Sequence, residues 1–346
     1  MRNSRKIMVG SVPVGGGSQI TVQSMLNAPA HDIKRNVSQA KKLADAGCEI
    51  LRVAVPDKES VDLIPAIKEE VMIPLVADIH FDYRLAVEAA KAGADAIRIN
   101  PGNIGSEERI KVVADVCRMR NLPIRIGVNS GSVQKEILEK YNGPTPRALA
   151  ESALHHATLL EKFDFRNIIL SIKSSNVETM IRANEIVAED CDYPLHLGVT
   201  EAGTERMGIV KSSIGIGTLL REGIGDTIRV SLTADPVCEV QAGTDILKSL
   251  GMRGGVKIVS CPTCGRTRID LIPIASEIER RLSGCKKNIT VAVMGCAVNG
   301  PGEAREADVG IAGGDGCGLI FRKGKIVRRV PESELVGELM REIENL

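Results

Sequence analysis

Aromatic side chains are nearly missing from this sequence, which has four Phe, three Tyr and no Trp among 346 residues. Platforms that stack single-stranded bases need such rings, and a formal net charge of +1 leaves no basic stripe for a duplex. No nucleic-acid partner is expected. No apolar run approaches the roughly 20 residues of a membrane span, and Met1 to Val9 lacks the apolar core of a signal peptide. The expectation is a soluble, cytoplasmic chain without membrane contact. Nucleotide motifs are lacking too. Gly15, Gly16 and Gly17 are not followed by the Lys-Ser/Thr of a phosphate loop, and Gly215 and Gly217 lack dinucleotide-fold spacing. A charged share of 26% beside 43% hydrophobic residues gives no reason to expect disorder. Nine cysteines, an odd number, argue against a disulfide framework and toward metal or redox chemistry.

What is present is a rhythm. Apolar, β-rich runs at 20–25, 50–55, 75–80, 96–101, 123–129, 167–174, 195–201 and 227–232 alternate with charged stretches whose apolar residues recur every three or four positions. Eight βα units over about 240 residues predict an α/β chain built on a (β/α)8 TIM barrel, with a doubly wound open sheet as the alternative. After Thr233 the rhythm stops. The expected division is a barrel domain at 1–240, a glycine-rich hinge at 241–255 and a compact α+β domain at 256–346.

Strand side chains alternate between faces, so Arg125, Gly127 and Asn129 share one face while Ile124, Ile126 and Val128 share the other. The same phase sets Arg98 with Asn100, Asp78 with His80, and Ser171 with Lys173, while Arg52, Glu201, Arg229 and Ser231 lie at or near strand ends. C-terminal strand ends form the catalytic face of a barrel. Five cations there against Asp78 and Glu201 imply an anionic ligand, and guanidinium forks converging with amide and hydroxyl donors suit phosphate oxygens. Arg52 and Arg229 are equally well read as structural ion pairs. His80 gains meaning only from its partners, and Glu201 is the candidate acid, base or charge stabiliser.

Cys261 and Cys264 form a C-x2-C pair at a strand exit, and Cys296 supplies a third thiolate at another. A zinc ribbon would normally add a second C-x2-C, which is lacking. An iron-sulfur cluster with a non-thiolate fourth ligand is the other reading, with Cys285 or Cys317 as alternative fourth ligands. Cys48, Cys117, Cys191 and Cys238 are expected as small buried residues.

The stretches VQSM, ADIHFDYRLA, RINPGN, IRIGVN, LSIKSS, GVTEAG, GIGDTIRVSL, SCPTCGRT and MGCAVNGPGEA occur in this order. With them the chain resembles the bacterial hydroxymethylbutenyl diphosphate synthase family over essentially its whole length. That resemblance implies a C-terminal domain of the sulfite-reductase-like kind holding a [4Fe-4S] cluster on Cys261, Cys264, Cys296 and Glu303. It implies substrate contacts at His80, Arg98, Asn100, Arg125, Asn129, Lys173 and Ser231, with Arg52 and Asp78 beside them, Glu201 as the catalytic carboxylate and Asn299 near the cluster. The sequence departs from the family pattern at Leu26 to Pro29, where a Thr-rich run is expected, and it lacks the extra middle domain of the plant-type form.

The implied reaction is reductive opening of 2-C-methyl-D-erythritol 2,4-cyclodiphosphate to 4-hydroxy-3-methylbut-2-enyl diphosphate in isoprenoid synthesis. It consumes two electrons, from ferredoxin or flavodoxin, and two protons, with loss of water. A homodimer is implied, each barrel mouth covered by the other subunit's cluster domain. Two rivals stand beside this reading: a barrel transferase of the dihydropteroate synthase kind with a structural zinc domain, and a non-catalytic iron or redox sensor.

Overall fold

The computed structural model describes residues 2–297 and 304–346. Contacts divide the chain into one unit ending at Met252 and another beginning at Arg253.

The first unit opens with a hairpin, β1 (Ile7–Val9) and β2 (Val12–Val14). Then follow β3 (Thr21–Met25), α1 (Ile33–Asp45), β4 (Ile50–Ala54), α2 (Leu63–Lys68), β5 (Leu75–Asp78), α3 (Tyr83–Lys91), β6 (Ala96–Ile99), α4 (Pro101–Ile104) and α5 (Glu107–Met119). The unit continues with β7 (Ile124–Asn129), α6 (Lys135–Tyr141), α7 (Pro146–Glu161), β8 (Ile168–Lys173), α8 (Val177–Asp190), β9 (His196–Leu197), α9 (Glu205–Arg221), β10 (Thr227–Ile228) and α10 (Pro236–Ser249). The sheet order β8-β7-β6-β5-β4-β3-β10-β9 is parallel throughout. A parallel bridge between Leu170 and Leu195 joins its two ends, so the sheet is a closed barrel.

Local sequence explains the helix starts. Asp32, Thr145, Asn176 and Asp235 each accept a first-turn amide of α1, α7, α8 and α10. Outward strand residues such as Leu51, Val53, Ile97, Ile99, Ile124 and Ile126 are buried in the main core. Inward residues near the strand starts, Ile50, Val76, Ala96 and Ile169, pack instead against Ile7, Val9 and Val14 of the hairpin, which floors the barrel. That hairpin is not legible in the sequence, because strands of three residues give no period to count.

Two expected strands are shorter than predicted. Those at 195–201 and 227–232 are regular only over His196–Leu197 and Thr227–Ile228, where the chains crowd at Gly198. A Cβ there would stand 2.4 Å from Arg229 O. Residues 241–249, within the expected hinge, continue α10.

The second unit contains β11 (Lys257–Ser260), α11 (Leu271–Leu282), β12 (Thr290–Met294), β13 (Val309–Gly314), β14 (Cys317–Arg322), β15 (Lys325–Pro331) and α12 (Leu335–Glu344). Its five strands lie in sequence order, the first three parallel and the last three antiparallel. One face buries Val291, Val293, Ile311 and Ile320 beneath α11 and α12. The other gathers Ala292, Met294, Ala312 and Phe321 with Ala304 and Ala307. No described helix is long and apolar enough to cross a membrane.

Candidate active site

Above the apolar floor the barrel interior turns polar. Arg125 and Gln23 are both buried, and Arg125 Nη1 donates to Gln23 Oε1 at 2.8 Å while Gln23 Nε2 donates to Thr227 Oγ1 at 2.9 Å. Asp78 is fully buried. Its Oδ2 accepts from Arg52 Nη2 at 2.6 Å and its Oδ1 from Arg98 Nη1 at 3.1 Å. Burial opposes ionisation of Asp78, but Arg52 and Arg98 outweigh it and hold the carboxyl well below the usual range. Strand register sets this up, pairing Asp78 with Arg98 and Arg98 with Arg125 across neighbouring strands. Gly127 makes room, since a Cβ there would lie 2.4 Å from Arg98 Nε.

On the opposite wall, Arg229 reaches both carboxylate oxygens of the buried Glu239 at 3.3 Å, and Glu239 also accepts from Ser24 Oγ and Leu232 N. Arg125 and Lys173 have no carboxylate partner among the described residues. Burial depresses the pKa of Arg125, then repulsion from Arg52 and Arg98. For Lys173 burial acts first, then Arg229, Arg52 and Arg125. His196 is buried beneath them with neither ring nitrogen hydrogen-bonded. Burial and the surrounding cations push it down, so it is neutral at pH 7.

These groups open into a cavity of about 140 Å³, lined by Arg52, Arg98, Arg125, Asn129, Ser171, Lys173, Arg229 and Ser231 of the residues singled out in the sequence, together with Thr200. Five cations against Asp78 and Glu239 leave an excess of three positive charges around it. A larger groove of about 370 Å³ between α9 and α10, where Cys238 lies, contains none of these residues.

Four predicted residues among those described fall outside the lining, Asp78 as the buried partner of Arg52 and Arg98 and three others. His80 is exposed, with Nε2 at 3.6 Å from Asp78 Oδ2. Asn100 is buried and caps α4, accepting from Gly102 N at 3.1 Å. Glu201 stands exposed beside Thr200 with φ +51°, a left-handed conformation that is uncommon for a side chain of this kind. Sequence reading missed Gln23, His196, Thr200 and Glu239. Gln23 and His196 had a signal, since they share the inward phase of their strands. Glu239 is on a helix and had none. The departure at Leu26 to Pro29 is pinned to α1, where Gln39 Oε1 accepts from Asn27 N and Ala28 N. Beyond the rim, buried His156 has Nε2 at 3.0 Å from Gln134 Nε2, and burial, then His155, pushes its pKa down to about 4.

In the second unit Cys261 and Cys264 follow β11 and Cys296 follows β12. The two strands are adjacent and parallel, so both loops leave the same end of the sheet. Gly295 N donates to Cys261 Sγ at 3.1 Å. The Arg266 amide, then its side chain, holds the Cys264 thiol below its ordinary range. The depressed Cys264 thiol favours a thiolate, the kind of donor that an iron-sulfur cluster takes. Among the described residues no three side chains form a ready-made metal cage, and Asn299 and Glu303 lie outside the described residues. Cys48 and Cys117 are buried and pushed up to about 12, as small core residues should be, whereas Cys191 and Cys238 are only partly buried.

Comparisons place the chain. The family models for the GcpE TIM-barrel domain and the GcpE protein C-terminal domain match residues 4–244 and 257–345. The 4-hydroxy-3-methylbut-2-en-1-yl diphosphate synthase (flavodoxin) of Clostridium perfringens is 59% identical over all of this chain and 99% of its own. That of Clostridium acetobutylicum is 60% identical over 99% of both. Among solved structures, dihydropteroate synthases from Stenotrophomonas maltophilia and Yersinia pestis align with TM-scores of 0.51 and 0.52 at 15% and 12% identity. They cover 68% and 72% of this chain and 92% and 100% of their own. At that identity they speak to the barrel fold alone.

Proposed function

The chain belongs to the GcpE family, and on that premise we propose that it catalyses the reaction for which its relatives are named, making 4-hydroxy-3-methylbut-2-enyl diphosphate from the cyclic diphosphate. One observation carries the reading: a cavity at the barrel mouth with three surplus positive charges, in which Arg125 and Lys173 lack carboxylate partners among the described residues. The cyclic diphosphate carries one charge on each phosphoryl group, and breaking its ring ester frees a third. A site with an excess of three therefore binds the opening transition state better than the substrate, which is the condition for rate acceleration. Arg98, Arg125 and Lys173 hold the phosphoryl oxygens, Asn129 and Ser231 orient them, and Asp78 fixes Arg52 and Arg98 so that little reorganises during reaction. Glu201 at the rim delivers the proton that leaves with the lost hydroxyl as water.

A [4Fe-4S] cluster held by Cys261, Cys264, Cys296 and Glu303 would supply the electrons. Flavodoxin, which the relatives' names carry, is the proposed donor ahead of ferredoxin. A cytoplasmic homodimer, each barrel covered by the partner's cluster domain, is the proposed assembly. The zinc-bearing transferase does not share this chain's family.

The test is anaerobic purification followed by turnover. Brown protein with about four irons per chain that opens the cyclic diphosphate when given a low-potential donor meets the proposal. Iron-loaded protein that leaves the compound intact overturns it.

A further inference from the structure

The densest positive charge in the sequence is not at the barrel mouth. Residues 322–329 contain five cations in eight positions, and no carboxylate occurs between Asp315 and Glu332. The segment forms the β14–β15 hairpin, and β15 is an outer strand of its sheet. Arg328 is consumed internally, donating to Glu338 and Glu342 of α12. Lys323, Lys325 and Arg329 form no ion pair among the described residues. Beside them Ile326 and Val327 are 59% and 45% exposed, apolar surface along a charged edge, the mixture that transient interfaces have.

Register ties this edge to the cluster cradle. Met294 pairs with Ala312, Ala312 with Leu319 and Leu319 with Arg329, one rung across four strands. Arg329 thus stands three strand spacings, about 14 Å, from Met294, two residues before Cys296. The bulge between Ile320 and Phe321 pairs Ile326 with Phe321. Cross-strand partners share a face, so Ile326 and Arg329 lie on the face of Phe321 and Leu319, the one that also holds Val259 and Cys261.

From this placement we infer that the β14–β15 hairpin is the docking surface of the electron donor, an acidic flavodoxin-type protein held by Lys323, Lys325 and Arg329 around Ile326 and Val327. The inference rests on the reductive function proposed above. Opposite charge speeds encounter and fixes orientation, and it makes the rate salt-dependent. The bland account is that charges on an outer strand merely prevent edge-to-edge pairing between molecules, and the experiment separates the two.

Cluster-loaded full-length enzyme is assayed with reduced flavodoxin and, separately, with dithionite, which needs no docking surface. The K323E/K325E variant should raise the flavodoxin KM about tenfold or more and flatten its dependence on ionic strength, while dithionite-driven turnover stays at the wild-type rate. An unchanged flavodoxin KM and salt slope overturns the inference, as does an equal rise from reversing Lys34 and Lys41 on α1. A variant that self-associates with an unchanged flavodoxin KM supports edge protection instead. Should charge reversal also lower dithionite turnover, the K323Q/K325Q pair decides, and it must raise the flavodoxin KM alone. A wild-type enzyme inert even with dithionite would count against the proposed reaction rather than the surface, which flavodoxin titration of the two proteins would still test.

Discussion

Glu239, on the helix after the last barrel strand, grips Arg229 through both carboxylate oxygens at 3.3 Å. The pair lies inside a wall of positive charge, so its loss is felt by every neighbour. Glu239→Gln should cost on the order of 3 kcal/mol of unfolding free energy, because breaking a buried pair strands its partner. Inorganic diphosphate should raise the melting temperature of this variant more than that of the wild type, since the anion replaces the missing countercharge. Calorimetry with and without diphosphate checks both.

Arg125→Met should have the opposite profile. Burial and neighbouring cations already disfavour the Arg125 charge, so an apolar side chain of similar length relieves repulsion and should leave the melting temperature equal or higher. Catalytic efficiency should fall by about 2 kcal/mol or more, the scale of a charged hydrogen bond. Unchanged kinetics would return Arg125 to a purely structural role.

Barrel interiors are legible in sequence where alternation is long. Over Ile124–Asn129 six residues display two faces unambiguously, and the cationic lining followed from that phase. Legibility fails where regularity is brief or the partner is distant. The predicted strand at 195–201 ends at Glu201, but only His196–Leu197 is regular, and a left-handed backbone conformation leaves Glu201 outside the lining. Ligand and structural pairing are indistinguishable in the sequence for Arg52 and Arg229 for the same reason, since their countercharges, Asp78 and Glu239, are 26 and 10 residues away. The flooring hairpin was hidden because its packing partners come from four other strands.

Acid should weaken the fold before its carboxylates titrate. His156 has a folded pKa of about 4 against an ordinary value of 6.5, so between these limits the unfolded chain binds a proton that the folded chain refuses. Stability therefore falls as pH drops from about 6.5 toward 4, by at most about 3 kcal/mol from this residue. His156→Gln should lessen that slope in urea titrations across the window, with buried His196, whose pKa burial also depresses, contributing to what remains. Asp78, with its depressed pKa, contributes stability above its unfolded value near 4 and loses it only in stronger acid.

Cys264→Ser should lose most of its iron, because a hydroxyl replaces a thiol already biased toward thiolate. Glu303→Ala should keep most iron yet lose nearly all turnover. Iron content and visible absorbance of the two proteins decide, and full iron in the serine variant would shift suspicion to Cys285 or Cys317.

Subunit mixing tests the proposed shared site. Glu201→Ala and Cys296→Ser proteins, each inactive, should regain about a quarter of wild-type activity when their subunits exchange at random, because each heterodimer then has one intact site. Exchange without recovery refutes it.

The barrel floor has a temporal meaning. Arg2 N donates to Gly223 O, Arg5 N to Asp192 O, and Ser4 Oγ to Asp226. A ribosome delivers residues 2–5 long before these acceptors, so Ser4, which leads into the hairpin, stays without its partner until 222 further residues have followed. The strands that close the ring, β9 and β10, arrive in the same stretch of chain, so closing the barrel and sealing it from below form one late, long-range event of the kind that slows folding.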